Sequence, residues 1–207
     1  MESDKETEKI RRRWDRTYQE YPLQQLPWEE GGPSAELVAL IESGVVEKGA
    51  ALDICCGSAN NAIYLAKQGF TCYGIDISPT AIGHAQEKVA SEKVSCELIS
   101  GNVLQLPYPD GSFTLVFDRG CFHSIPPEDR ETFVQGVHRV LKTTGKYQLL
   151  CFSSRDHPST ESPYSFSPED IQRYFHSLFK IHSIQELSPK VKGTKHYFLS
   201  VLMGKIG

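Results

Sequence analysis

Ala51-Leu-Asp-Ile-Cys-Cys-Gly-Ser-Ala-Asn-Asn61 is the stretch that decides the fold. Ala50 to Cys55 is a short apolar run of strand length. Gly57 to Asn61 is a turn of small and polar residues, and Ala62 to Gln68 follows with a helical pattern. A strand, a small-residue turn and a helix in that order present backbone N–H groups to a ligand, and only small side chains let the ligand come close. In open α/β sheets ligands bind at the C-terminal ends of the strands, which is where this turn falls.

Working outward, the next two strands end in matching chemistry. Thr71 to Ile77 closes on Gly74-Ile75-Asp76, and an acid at that point accepts hydrogen bonds from both hydroxyls of a ribose. Val94 to Ser100 leads into Gly101-Asn102-Val103, where the Asn102 amide meets an adenine amine and Ile77 and Val103 flank its ring. Asp53 and Asp76 each have a plainer reading as strand-end caps. Three such sites at successive strand ends, in this order, favour a nucleoside ligand.

The rest of the chain alternates in the same way, which implies a parallel sheet covered by helices. Lys5 to Glu20 is a charged helical arm carrying Trp14 and Tyr18, and a Pro/Gly-rich loop follows it. Ser34 caps a helix from Ala35 to Ser43, and Pro79 opens one reaching Ser91. Phe113 to Asp118 reads as the fourth strand, Glu128 to Leu141 as a helix, and Tyr147 to Phe152 as the fifth strand. Ser167-Pro168 restarts a helix to about Leu178. Lys180 to Glu186 and Tyr197 to Met203, joined through Pro189 to Thr194, read as an antiparallel hairpin at a sheet edge.

Composition narrows the function. The chain has 207 residues, which fits one domain with elaborations: an arm over 1–33 and a core over 34–207. Its formal net charge is −4, so a grip on a nucleic-acid backbone is not expected, and DNA is excluded as a partner. Arg11-Arg12-Arg13 reads as a solvated helix face. No segment approaches the ~20 apolar residues of a membrane span. Met1 to Glu8 resembles neither a signal peptide nor a transit peptide, so a cytoplasmic protein without membrane partners is expected. The six cysteines include no C-x-x-C pair, so no metal site is expected. A vicinal Cys55–Cys56 bridge is conceivable, but free thiols in a reducing compartment are the expectation.

These motifs resemble the class I S-adenosylmethionine-dependent methyltransferases over roughly Leu37 to Met203. Leu52 to Gly57 stands at the family's strand and glycine turn, and Tyr73 to Ser78 at its ribose-binding strand end. Gly101 through Pro107 and Asp110 to Phe113 match the adenine segment and the lead into strand four, while Arg139 to Lys142 and Gly145 match the turn before strand five. The resemblance implies a Rossmann-like, doubly wound sheet of about seven strands, mostly parallel, with a C-terminal antiparallel hairpin. Cys55 and Ala59 replace turn glycines, so a positive φ is less comfortable there. Asn102 replaces the usual Asp, and Thr143-Thr144 a Pro-Gly pair. Trp14 and Tyr18, Pro27-Trp28, Gly32-Pro33, Asp118 to His123 with Pro126 and Arg130, and Tyr164 to Asp170 are similar to the thiopurine, thiol and tellurite branch.

The resemblance implies S-adenosylmethionine as cofactor and S-adenosylhomocysteine as product. Cofactor contacts are then expected from Asp53, Cys55, Gly57, Asp76 and Ile77, from Asn102 and Val103, and from Trp28 and Asp118. Methyl transfer needs an in-line nucleophile near the methyl carbon, and alignment supplies much of the acceleration. A partly ionised thiol needs no dedicated base, whereas a hydroxyl does. Asp118 and His123 are the candidate catalytic residues, although a packing role for His123 is as natural. Trp14, Tyr18, Phe122, His123 and Tyr164 are the candidate acceptor contacts. The aromatic arm reads either as a lid, with rings attractive to a sulfonium, or as ordinary helix packing. The expected reaction is in-line transfer to a small uncharged acceptor, a thiol or other soft nucleophile, by a monomer or weak homodimer. The alternatives are a degenerate cofactor-binding regulator and a methyltransferase acting on protein or tRNA.

Overall fold

The structure is a computed structural model that describes residues 2–155, 159–188, 190–191 and 194–207. Five parallel strands form its centre: β1 (Ala50–Ile54), β2 (Thr71–Asp76), β3 (Cys96–Ser100), β4 (Phe113–Arg119) and β5 (Leu141–Ser153). Two-residue β6 (Ser165–Phe166) adds to the end of β5 in parallel. β7 (Phe179–Leu187) follows, then the small pair β8 (Lys190–Val191) and β9 (Thr194–Lys195), and finally β10 (Phe198–Lys205). The sheet order is β3-β2-β1-β4-β5-β10-β7, with β10 antiparallel to both neighbours. The chain winds outward from β1 to β3, then restarts at β4, so a crevice opens between the C-terminal ends of β1 and β4.

The helices are α1 (Glu2–Glu20), α2 (Ala35–Glu42), α3 (Asn60–Lys67), α4 (Pro79–Ser91), α5 (Arg130–Val140) and α6 (Pro168–Phe175). Three start where their caps dictate. The side chains of Ser34, Ser78 and Ser167 accept from the N–H groups of Leu37, Ala81 and Asp170, and Ser167 with Asp170 completes a capping box. Strand alternation divides the core. Leu52, Ile54 and Val116 pack on the face covered by α5 and α6, while Ala51, Leu115 and Phe117 pack under α2, α3 and α4.

The expected run of seven strands forms, and the segment after β5 adds β6 beside it as a short eighth. One boundary shifts. Strand β5 begins at Leu141 and not at Tyr147, so Thr143-Thr144 lies inside it. The β4–β5 register jumps from Phe113↔Leu141 to Leu115↔Lys146, which marks a bulge. A Cβ at Gly145 would lie 2.8 Å from Leu141 Cδ2 and 2.9 Å from the Lys142 carbonyl oxygen, so this bulge requires glycine. The C-terminal hairpin forms with β7 at the sheet edge; Pro189 lies outside the described residues. Among the described residues no helix is long and apolar enough to cross a membrane.

Candidate active site

The turn after β1 has three left-handed residues: Cys55 at φ 52°, Gly57 at 52° and Ala59 at 63°. The glycine replacements at 55 and 59 thus keep the backbone that glycine prefers. Asp53, 1% exposed, accepts from the Ala62 N–H at 3.2 Å. It satisfies a free donor in the first turn of α3, where the helix dipole favours an acid. Burial nevertheless holds its carboxyl well above the usual range. Asp76 lies at the end of β2 and binds the turn directly. One oxygen accepts from the Gly57 N–H at 3.0 Å and the other from the Ser78 N–H at 2.9 Å, while burial raises its carboxyl. Asn102 follows β3, and its Oδ1 accepts from the Leu104 N–H at 3.0 Å. Ile77, which follows β2, is half-buried, and Val103 is buried.

The turn after β4 is built around Asp118. This carboxylate is fully buried and accepts from the N–H groups of Cys121 (2.7 Å) and Phe122 (3.2 Å) and from the Tyr147 hydroxyl (2.9 Å). Burial pushes its carboxyl up to about 7 despite these donors. Its geometry is that of a loop anchor. Phe122 is also fully buried, packed with Phe133, Phe166, Tyr174 and Phe175, so in this conformation it supports the loop from below. His123 stacks on Phe152 at 4.5 Å, and its Nδ1 accepts from the Phe152 N–H at 3.3 Å. Desolvation, aided by the nearby Arg119 charge, pushes the imidazole down to about 3, so it is neutral. With Nδ1 accepting, the proton sits on Nε2, and that edge is a donor. The half-buried Tyr164 donates its N–H to the His123 carbonyl at 2.7 Å, joining the segment after β5 to this turn.

The expectation of six free thiols is corrected here. Cys55 and Cys121 form a disulfide, with Cα atoms 5.4 Å apart, while Cys56, Cys72, Cys96 and Cys151 are free. The bridge forms because β1 and β4 are neighbours, with Ile54 opposite Asp118, so the turns that follow them face each other. Sequence spacing carries no sign of this.

The arm seats on both turns. Tyr18 is 5% exposed, and a Cβ on Gly57 would lie 2.7 Å from its hydroxyl oxygen. That hydroxyl accepts from Trp28 Nε1 at 2.9 Å, and Trp14 packs edge-on to Trp28 at 5.4 Å. Three polar residues that sequence reasoning did not single out hold the arm down. Asp15 accepts from Ser78 Oγ and the Thr80 N–H at the start of α4. Glu29 accepts from Ser58 and Asn60, and Arg119 donates to the Trp28 carbonyl and to Glu30. Their partners are far away in sequence; the local signal was only a charged helix and a Glu-Glu pair after Pro27-Trp28.

Residues 51–145 match the model of a methyltransferase domain. The 2-heptyl-1-hydroxyquinolin-4(1H)-one methyltransferase of Mycobacteroides abscessus is 30% identical over 189 residues, covering 88% of this chain and 82% of that protein. The chain belongs to the class I S-adenosylmethionine-dependent methyltransferases. Solved structures show that the fold of this methyltransferase is shared. One is the 1,6-didemethyltoxoflavin-N1-methyltransferase of Burkholderia thailandensis, with 1,6-didemethyltoxoflavin and S-adenosylhomocysteine bound. It superposes with a TM-score of 0.77 at 18% identity, over 96% of this chain and 88% of that one. A structure from work on the conversion of a disulfide into a thioacetal in echinomycin biosynthesis gives 0.82 at 23% identity, over 95% and 92%. S-adenosylmethionine is the cofactor of this methyltransferase.

Proposed function

We propose that this methyltransferase moves a methyl group onto a small acceptor, a thiol or other soft nucleophile, in a site formed between the turns after β1 and β4 and closed by residues 1–33. The observation that carries this reading is the convergence of the Cys55–Ala59 turn, Asp76 and Asn102 at the ends of three adjacent parallel strands, under the arm. The donor set fits the cofactor. Each Asp76 oxygen takes one backbone N–H and keeps a lone pair for a ribose hydroxyl. The Asn102 amide nitrogen has no acceptor among the described residues and suits an adenine nitrogen, with Ile77 and Val103 beside the ring. Cys55 and Gly57 supply backbone, and Asp53 fixes the start of α3.

When bound, the cofactor supplies an electrophilic methyl on a sulfonium whose departure as a neutral thioether needs no acid. The chain's own residues then align and enclose the acceptor. Asp118 positions the turn carrying Phe122 and His123. His123 offers an Nε2–H that orients the acceptor, and Trp14, Tyr18, Trp28 and Tyr164 exclude water. The core over 34–207 acts with its arm as a single catalytic domain, as a monomer or weak homodimer, and without DNA.

A second reading is favoured by the hydroxyquinolinone named for the M. abscessus relative, and would place an acidic hydroxyl on a planar heterocycle as the acceptor. Incubation with methyl-labelled cofactor and matched thiols, N-hydroxy heterocycles, phenols and amines separates the two readings. Calorimetry with S-adenosylhomocysteine, with and without Asp76→Ala, tests the cofactor site. Firm cofactor binding with no turnover on any acceptor would favour a regulator instead.

A further inference from the structure

Both groups that read as catalytic bases are already occupied. Asp118 is fully buried and bonded to three donors, and His123 is neutral with Nδ1 engaged. A site without a free base takes its acceptor already ionised, and an anion entering a water-poor pocket needs a cation to receive it.

Arg130 is such a cation. It is the first residue of α5 and is 6% exposed. Its hydrogen bonds go to neutral oxygens: Nε to the Ile125 carbonyl at 3.1 Å and Nη1 to the Tyr174 hydroxyl at 2.8 Å. Rings of Tyr164, Phe166, Tyr174 and Phe122 surround the guanidinium, with centroids at 4.5, 4.8, 5.3 and 5.9 Å. No carboxylate pairs with it among the described residues, and its Nη2 has no acceptor there. Yet Nη2 is not sealed in, because Tyr108 Oη is the one sealed, unpartnered side-chain polar atom among the described residues. The nearby Arg119 differs, since its guanidinium is held by Glu30 and the Trp28 carbonyl.

The location matches the need. Phe122 belongs to the turn after β4, and Tyr164 and Phe166 to the segment after β5, so Arg130 sits where these two segments meet at the C-terminal edge of the sheet. The N-terminal dipole of α5 adds to the positive potential. Ring faces offset part of the cost of burying the charge but leave it uncompensated, and in a low-dielectric pocket such a charge is strongly felt.

We propose that Arg130 is an acceptor-binding residue that selects ionised acceptors, receiving an aryl oxyanion or thiolate at its free Nη2. This rests on the small-acceptor reading above. The transfer balances without a base: a lone pair of the anion forms the new bond to the methyl carbon, and the carbon–sulfonium pair stays on the departing neutral sulfur. Such a residue moves affinity by charge, whereas a clamp for the two segments moves all ligands alike.

The test uses the full chain saturated with S-adenosylhomocysteine, whose own affinity is measured first. Absence of that binding would count against the methyltransferase site itself and not against Arg130. The probes are 4-nitrophenol, at a pH where it is ionised, and neutral 4-nitroaniline of nearly the same shape. Wild type is expected to bind the phenolate at least about tenfold more tightly than the aniline. Arg130→Met is expected to abolish that preference with little change for the aniline, and Arg130→Lys to restore part of it. Equal binding of both probes by wild type overturns the proposal without recourse to any variant. So does a loss in Arg130→Met that is the same for both.

Discussion

Gly57→Ala is the substitution whose cost is most fully specified by the geometry. Gly57 has φ +52°, and an alanine held there costs about 1–2 kcal/mol. Its new Cβ would lie 2.7 Å from Tyr18 Oη, closer than such contacts occur. Tyr18 cannot yield freely, because it is 5% exposed and its hydroxyl holds Trp28 Nε1 at 2.9 Å. Displacing it disturbs a hydrogen bond of about 1 kcal/mol and overpacks the arm, for about 1–3 kcal/mol in all. The sum is roughly 2–5 kcal/mol. Tyr18→Phe removes the clashing oxygen, and the next ring atom, Cζ, would be 3.8 Å from that Cβ, an ordinary contact. In the Tyr18→Phe background Gly57→Ala is therefore expected to cost only its backbone share, about 1–2 kcal/mol. Denaturant unfolding of the four proteins gives the coupling, expected to be about 1–3 kcal/mol of rescue. Should the arm detach rather than strain, proteolysis within residues 1–33 rises in Gly57→Ala and falls again in the double variant. A cost and a protease sensitivity that ignore residue 18 would refute the seating of the arm on the turn.

Three further outcomes follow from named contacts. The Asp118 carboxyl titrates near 7 when folded, above its unfolded value, so the folded state holds that proton longer and stability is lost as pH rises from about 4 through 7; Asp118→Asn, less stable overall, should show a fall between pH 5 and pH 8 smaller by about 2–3 kcal/mol in urea unfolding. Reducing the Cys55–Cys121 bridge, which spans a separation of 66 residues, should lower stability by up to about 4 kcal/mol on the chain-entropy account, and a melting temperature unchanged by reductant would contradict it. Deleting Met1 to Tyr21 removes Asp15 and Tyr18 from the start of α4 and from Gly57, so the circular dichroism of the core should persist while S-adenosylhomocysteine affinity and turnover fall at least about tenfold; full activity would show that the arm is no lid.

The order of elements, the handover from β1 through a small-residue turn to α3, and the acid or amide at the ends of β1, β2 and β3 are all legible in the chain. These features are local: a strand's apolar run, a cap such as Ser34 or Ser78, and the backbone demand at Cys55 and Ala59 all act within a few residues of chain. How the side chains are used depends on contacts that only folding brings about. Asp118 looks in sequence like a free acid at a pocket mouth; its own turn takes it up through the Cys121 and Phe122 N–H groups, and Tyr147 from β5 adds a third donor that its neighbours in sequence do not announce. The Phe152 N–H fixes the tautomer of His123, which no neighbour in sequence specifies. Asp15 reaches the cap of α4 across 63 residues, and Cys55 reaches Cys121 across 66. Periodicity and turn chemistry register what a residue needs from its own segment, whereas a hydrogen-bond partner, a counter-charge or a bridging sulfur is supplied by whichever strand end the winding of the sheet brings alongside.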